Sequence, residues 1–513
     1  MPRFLSSTTL MVCFLLGVWP RPGFAAISLS GLFTDHMVLQ QEMPIRIWGS
    51  ADPGEQVTVS FGNANVQTGA GSDGRWMVEL PSEPANSQSR DLTIAGATDR
   101  VVIHDVLVGE VWICSGQSNM EFAMTSGWHQ AWTPGGHLEP LVASANNPQI
   151  RLFKVPHAFY AAPSEKLDAQ WQLCTPQTVA SFTAVGYLFG RELSQKLNVP
   201  VGLIQSTWGG TRIEPWISLQ VFEDTPQFQK DLNWLHAAPH VSGPIPIATT
   251  PSPSTTGSAA NRPPTMSSLS RANTWSRESP TAIYNGMISP LIPYTVRGAI
   301  WYQGESNVSE RDRLYYLHLS SLIDSWRKVW NQGDFPFYIV QIAPYGGYHV
   351  EPQYEPLIWE AEEQVAQKIP NTGVAGIMDI GNLSNIHPAD KIDVAHRLAL
   401  WALAKTYGQS DLVYSGPIYK SMEVDQNKII IHFDEVGGGF VSRDRKPLNW
   451  FEIAGADKKF VPAQAQVIGD TIVVESQSVS DPVAVRFGWS DIAEPNLMNK
   501  EGLPALPFRT DQW

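Results

Sequence analysis

The sequence predicts an α/β protein built on a mostly parallel sheet, flanked on both sides by β-rich segments, and three patterns carry that expectation. From about residue 106, short apolar runs alternate with amphipathic stretches at three-and-four spacing, as buried strands followed by helices do. Residues 27 to about 105 instead alternate apolar and polar positions, as in Met43–Gly49 and Gln56–Phe61, with turn signals at Ala51–Gly54 and Gly71–Gly74. After about 411 the β pattern returns, clearest in Lys428–Phe433 and Asp470–Glu475. A chain of 513 residues with 43% apolar content is long enough for two or three domains, and the boundaries are placed at 26–105, 106–410 and 411–513.

Each element of the middle segment has its own justification. Strands are expected at 106–114, 200–206, 296–302, 336–342 and 373–379, where apolar runs are continuous enough for burial on both faces. Helices are expected at Phe182–Leu197, Leu314–Val329, Leu357–Ile369 and Ala389–Thr406. Between Asp224 and Pro280 the pattern becomes irregular, and Thr249–Ser258 is rich in Pro and Ser, so a lid-like insertion is expected at about 225–280.

The first 25 residues read as a secretory signal, with Arg3, an apolar run from Leu10 to Trp19, and small residues at Gly23, Ala25 and Ala26. That run is too short to span a bilayer in a mature chain, so a secreted or periplasmic protein without a membrane span is expected. Its removal takes Arg3 and Arg21 and no acid, leaving 33 basic against 49 acidic residues, a net −16. With no basic tract, nucleic acid is not an expected partner. Cys114 and Cys174 remain after the signal, enough for one disulfide or two buried thiols. No metal-ligand spacing is present in the sequence.

Ligands bind outside the carboxyl ends of the strands in an open parallel sheet. Four of the five expected strands run there into polar or Gly-rich clusters: Gly116–Met120, Thr207–Arg212, Gln303–Asn307 and Asn385–Pro388. Together they supply a hydroxyl, a glycine pair with free amides, side-chain amides, a carboxylate and an imidazole, the inventory for acyl transfer through a serine nucleophile.

These four motifs, in this order, resemble those of the SGNH (GDSL-like) hydrolases, and most of all the sialate O-acetylesterase and carbohydrate acetylesterase branch, over roughly residues 27–410. The resemblance implies a flavodoxin-like α/β/α hydrolase domain behind an N-terminal β-sandwich-like module. It also implies removal of O-acetyl groups from carbohydrates with no metal or organic cofactor. Ser118 would be the nucleophile and His387 the general base. The oxyanion hole would combine the N–H of Ser118, the N–H of Gly209 or Gly210, and a side-chain amide. Many relatives carry an Asn for that last role where this chain has Ser306, which leaves Gln303 or Asn307. Many also place an Asp three residues before the histidine, where this chain has Ser384. Some members of the branch use the Glu of Gln-Gly-Glu instead, so Glu305, at a strand end in the same crevice, is taken as the residue that orients His387 from hydrogen-bond distance and stabilises its cation, with Asp379 or the backbone carbonyl of Ser384 as the alternatives. Gln117, Arg212, Trp208, Trp301 and Trp128 are candidate substrate contacts, although Arg212 fits equally well against Glu214 and the tryptophans fit a core. The motifs do not separate sialic acid from acetylated xylan or xyloglucan, and a non-catalytic glycan-binding protein on the same scaffold is the reading from another class.

Overall fold

The computed structural model describes residues 26–125, 138–239 and 274–513, so the expected signal at 1–25, Trp128 and the middle of the expected insertion lie outside the described residues. Everything is hung on one long strand, β1 (Arg100–Gly116). Its second half is the apolar run Val106–Ile113, almost wholly buried, which can hold only the centre of a sheet covered on both faces. There it pairs in parallel with β3 (Val201–Thr207) on one side and β4 (Gly298–Tyr302) on the other. Beyond β4 lie β5 (Phe337–Val340) and β6 (Thr372–Ala375), also parallel. Beyond β3 lies β2 (Asn147–Lys154), with Trp171–Cys174 antiparallel at the edge.

The five expected strands thus stand in the order β3-β1-β4-β5-β6, and the direction of winding reverses at β1. A crevice opens outside the carboxyl ends of the strands at such a reversal. The register aligns it: Gly116, the last residue of β1, pairs with Thr207 at the end of β3 and with Tyr302 at the end of β4. Three loops therefore leave the sheet at one height. Gly116 has φ 139°, and a Cβ there would lie 2.2 Å from the Tyr302 carbonyl oxygen, so only glycine lets the strands close so tightly.

Among the helices, α1 (Ser118–Glu121) follows β1 directly. Then come α2 (Ala184–Leu197), α3 (Glu305–Ser309), α4 (Tyr315–Trp330), α5 (Tyr354–Lys368) and α6 (Lys391–Trp401). Thr183 caps α2 by accepting from the Gly186 N–H, and Asp390 caps α6 by accepting from that of Asp393. Helices α2 and α6 pack on each other, as do α4 and α5. No helix among the described residues is long and apolar enough to cross a membrane.

Arg100–Gly109 of β1 also belongs to the N-terminal strands, pairing antiparallel with Asn86–Ala95 and, through Leu107–Gly109, in parallel with Val38–Gln40. The expected boundary at 105/106 therefore falls inside a strand, at a kink where Asp105 has φ 56° and pairs with His36 and Arg151. The N-terminal alternation is real: every second residue of Arg75–Leu80 is buried.

The C-terminal strands form two four-stranded sheets and a two-stranded one around their own core, which includes Ile431, Phe451, Phe487 and Phe508. They dock on α5 through Arg509, whose guanidinium grips both oxygens of Glu360 at 2.9 Å.

Several expectations need correction. The strand β2 and its edge partner escaped the apolar-run reading because polar residues interrupt them. The fifth strand ends at Ala375 rather than 379, because Arg397 takes the Gly376 carbonyl and both oxygens of Asp379, turning the chain out of the sheet. Within the segment read as irregular, Gln229–Ala237 is a helix with no fully buried residue, resting on the core through only Leu232, Trp234 and Leu235, a face too short to stand out in sequence. Of the two states the sequence left open for the cysteines, the structure has the second: Cys114 and Cys174 are both buried free thiols. Thiol titration of the denatured, non-reduced protein should accordingly count both of them; a count that finds neither would mean they are bonded.

Candidate active site

Ser118 is the first residue of α1, where β1 breaks into small and polar residues. Its preceding residue is pinned by a bond from the Gln117 N–H to the Tyr302 carbonyl (3.0 Å). The loop after β6 returns His387 to the same point, and its backbone N–H is held by Asn385 Oδ1 at 3.0 Å. Ser118 Oγ and His387 Nε2 lie 2.8 Å apart. Burial, and then the positive charge of Lys391, pull the His387 imidazole down to about 4. At neutral pH it is uncharged, so its Nε2 lone pair accepts the Ser118 hydroxyl.

The expected direct contact between Glu305 and His387 is not present. Glu305 is 2% exposed. Its Oε1 accepts from Asn119 Nδ2 at 2.5 Å, and its Oε2 makes no hydrogen bond with a described residue. The reason is Asn119, whose side chain stands between: Nδ2 also donates to the Ile386 carbonyl (2.9 Å), and Oδ1 accepts from Lys391 Nζ (2.7 Å). Asp379 is not on the histidine either. It forms a two-pronged pair with Arg397 at 2.6 and 2.7 Å, and Arg443 holds its carbonyl at 2.9 Å. Ser384, three residues before the histidine, donates to Asn382 Oδ1 from both its N–H and its hydroxyl.

The glycine pair lies beside the nucleophile. A Cβ on Gly209 would meet the Ser118 Cβ at 3.2 Å. The Gly209 N–H is already taken by Glu121 Oε2 at 2.5 Å, however, and Glu121 Oε1 in turn faces His157 Nε2 at 2.7 Å. The Gly210 N–H, on a residue with φ 71°, has no partner among the described residues.

Of the candidate side-chain amides, Gln303 and Asn307 are frame rather than open donors. Gln303 Nε2 faces Asn307 Oδ1 (2.7 Å), Gln117 Oε1 (3.1 Å) and the Thr211 carbonyl (3.2 Å). Asn307 Nδ2 donates to Asp312 (3.0 Å) and Glu214 (3.2 Å). Both are fully buried, tying the third motif to the second. Gln117 differs: its Oε1 accepts from Gln303, while its Nε2 makes no hydrogen bond to a described residue.

The aromatic candidates are largely occupied. Trp301 is wholly buried, edge-on to Trp216 and Trp326, and belongs to the core. Trp208 is 7% exposed; the His157 ring is stacked on it at 4.4 Å, and the Arg277 guanidinium lies 5.7 Å from its ring centre. Arg212 takes the second of its two expected places, 3.4 Å from Glu214, and donates to the Glu278 carbonyl.

Sequence reasoning missed Asn119 and Lys391 as parts of the site. Asn119 lay inside the first motif but reads there as a capping residue. Lys391 carried no signal at all, since a lysine in the first turn of a helix is ordinarily solvated.

A serine hydroxyl hydrogen-bonded to a half-buried imidazole, at the point where a parallel sheet reverses its winding, is the arrangement a carboxylic ester hydrolase of the serine type needs. Residues 108–238 and 265–399, just over half of the chain, match the family model described as carbohydrate esterase, sialic acid-specific acetylesterase. The chain belongs to that family. The sialate O-acetylesterases of Homo sapiens and Pongo abelii are each 28% identical to it, over 92% of this chain and 90% of theirs. The crystal structure of a novel carbohydrate acetylesterase from Xanthomonas citri superposes with a TM-score of 0.80 at 34% identity, covering 95% of this chain and all of that one.

Proposed function

We propose that this protein is an exported O-acetylesterase acting on carbohydrates, most like the sialate O-acetylesterases, with residues 106–410 as a flavodoxin-like hydrolase unit of the SGNH type. The observation that carries the reading is the 2.8 Å contact between Ser118 Oγ and His387 Nε2, where the loops after β1, β3 and β4 meet. Ser118 Oγ attacks the acetyl carbonyl carbon as its proton passes to His387 Nε2. The oxyanion that forms is held by the N–H groups of Ser118 and Gly210 and by Gln117 Nε2, the donors in the crevice not already engaged. Collapse breaks the bond to the sugar oxygen, which takes the proton from His387 and leaves as the alcohol. A water, deprotonated by His387, then attacks the acetyl-serine and releases acetate.

Glu305 acts in this reading through Asn119, not by touching the imidazole. Acetate release measured side by side on O-acetylated sialic acid, xylan and xyloglucan tests the substrate. Preference for the sialic acid is expected; turnover confined to the plant polymers would move the substrate, and glycan binding with no turnover on any ester would replace the reading.

A further inference from the structure

The site holds a buried cation that the acyl-transfer scheme does not use. Lys391 opens α6, four residues after His387, yet it has no exposed surface. Its ammonium donates to Asn119 Oδ1 at 2.7 Å, and lies 4.8 Å from the centre of the Phe122 ring and 5.3 Å from that of Tyr302. A fully desolvated ammonium is costly, and such a group persists only where its surroundings fix it for a purpose or repay it. The repayment here is small: one neutral amide oxygen and two ring faces. Glu305 is the carboxylate whose charge acts on it most, yet Glu305 hydrogen-bonds to Asn119 and not to the ammonium.

The consequence of the arrangement falls on the Asn119 amide. Its Nδ2 faces two acceptors, Glu305 Oε1 and the Ile386 carbonyl, and its Oδ1 faces a group that can only donate. Turned over, the amide would set oxygen against two oxygens and NH2 against NH3⁺. One orientation is therefore imposed, and in it the residue after the nucleophile grips the residue before the base.

We propose, resting on the esterase reading above, that Lys391 is a positioning residue: by fixing the Asn119 amide it holds the Ile386–His387 loop at hydrogen-bond distance from Ser118. The same charge acts on the imidazole. Burial and Lys391 together keep His387 uncharged down to about pH 4, so the base stays ready in acid. Lys391 is itself drawn down to about 7 by burial, against the pull of Glu305 and Asp390. Among the described residues, the groups facing Lys391 are Asn119 and Phe122 from α1 and its end, Tyr302 from β4, Glu305 from α3, and Asp390 beside it. Glu355 and Glu362 of α5 stand behind Glu305.

The test is the pH profile of kcat/KM on a generic acetyl ester, for the wild type and two variants. The wild type should lose activity only as pH falls through about 4, where His387 takes a proton, and should show a second inflection near 7, where Lys391 loses one. Lys391→Met should lower kcat on the order of 10²-fold with little change in KM, because the base is displaced rather than the substrate. Its acid limb should move up toward the ordinary histidine range, and the inflection near 7 should vanish. Lys391→Gln, which keeps a donor for Asn119 without the charge, should move the limb in the same way while recovering much of kcat. A purely structural lysine would change stability and leave the profile in place. A Lys391→Met enzyme that folds and matches the wild type in both kcat and pH profile overturns the proposal, as does a Lys391→Gln enzyme that recovers none of the kcat lost by Lys391→Met. Absence of turnover by the wild type would instead overturn the esterase reading.

Discussion

Ser118→Ala should abolish acetate release while leaving the fold unchanged, with a loss of about 10⁶-fold in kcat by analogy with removal of the nucleophile from serine proteases. Among the described residues the hydroxyl makes a single hydrogen bond, to the imidazole, so its removal costs the fold only that one contact. His387→Ala should fall to a similar floor, because nucleophile and base act as one unit and their losses do not add. The residual rate above background would come from the oxyanion donors, Ser118 N–H among them, which survive the loss of a hydroxyl. Circular dichroism and thermal melting that match the wild type, together with acetate release by an enzyme-coupled assay, decide the matter. Turnover within tenfold of wild type would mean that another nucleophile operates.

How much of this was legible in the sequence depended on whether a residue's role is local. The strands β1, β3 and β4 were readable because burial on both faces demands an unbroken apolar run, and their loops were readable because they begin where that run stops. The meeting of Ser118 with His387 followed from the topology, since both lie at carboxyl ends of strands in one sheet. The assignment of Glu305 as a direct partner of the histidine did not hold, because a strand-end position defines a crevice but not which of two polar neighbours stands between. Asn119 occupies that place. Its role depends on Lys391, 272 positions away in the chain. Trp208 and Trp301 show the same limit: the sequence marks an aromatic beside the site, while packing by His157 or Trp216 decides whether a sugar can reach it.

Asp379 gives the contrasting expectation: Asp379→Ala should cost stability rather than chemistry. Its carboxylate is nearly buried and meets the equally buried Arg397 through two short bonds, while Arg397 also holds the Gly376 carbonyl. Removing one partner of such a pair leaves an uncompensated guanidinium in a dry site, a loss of about 3–5 kcal/mol. The penalty should appear as a lower urea midpoint, and Arg397→Met in the same background should recover part of it, because the stranded charge goes with the arginine. The catalytic effect should be secondary. The pair anchors the chain where it leaves β6, eight residues before His387, so its loss loosens the far end of the loop that carries the base. The near end remains fixed by Asn119 on Ile386. At temperatures where the variant is folded, its kcat should therefore stay far above that of Ser118→Ala. If Asp379→Ala instead kept the wild-type urea midpoint and lost turnover to the level of His387→Ala, the carboxylate would be serving the histidine during the reaction, and the pair with Arg397 would have to open for catalysis.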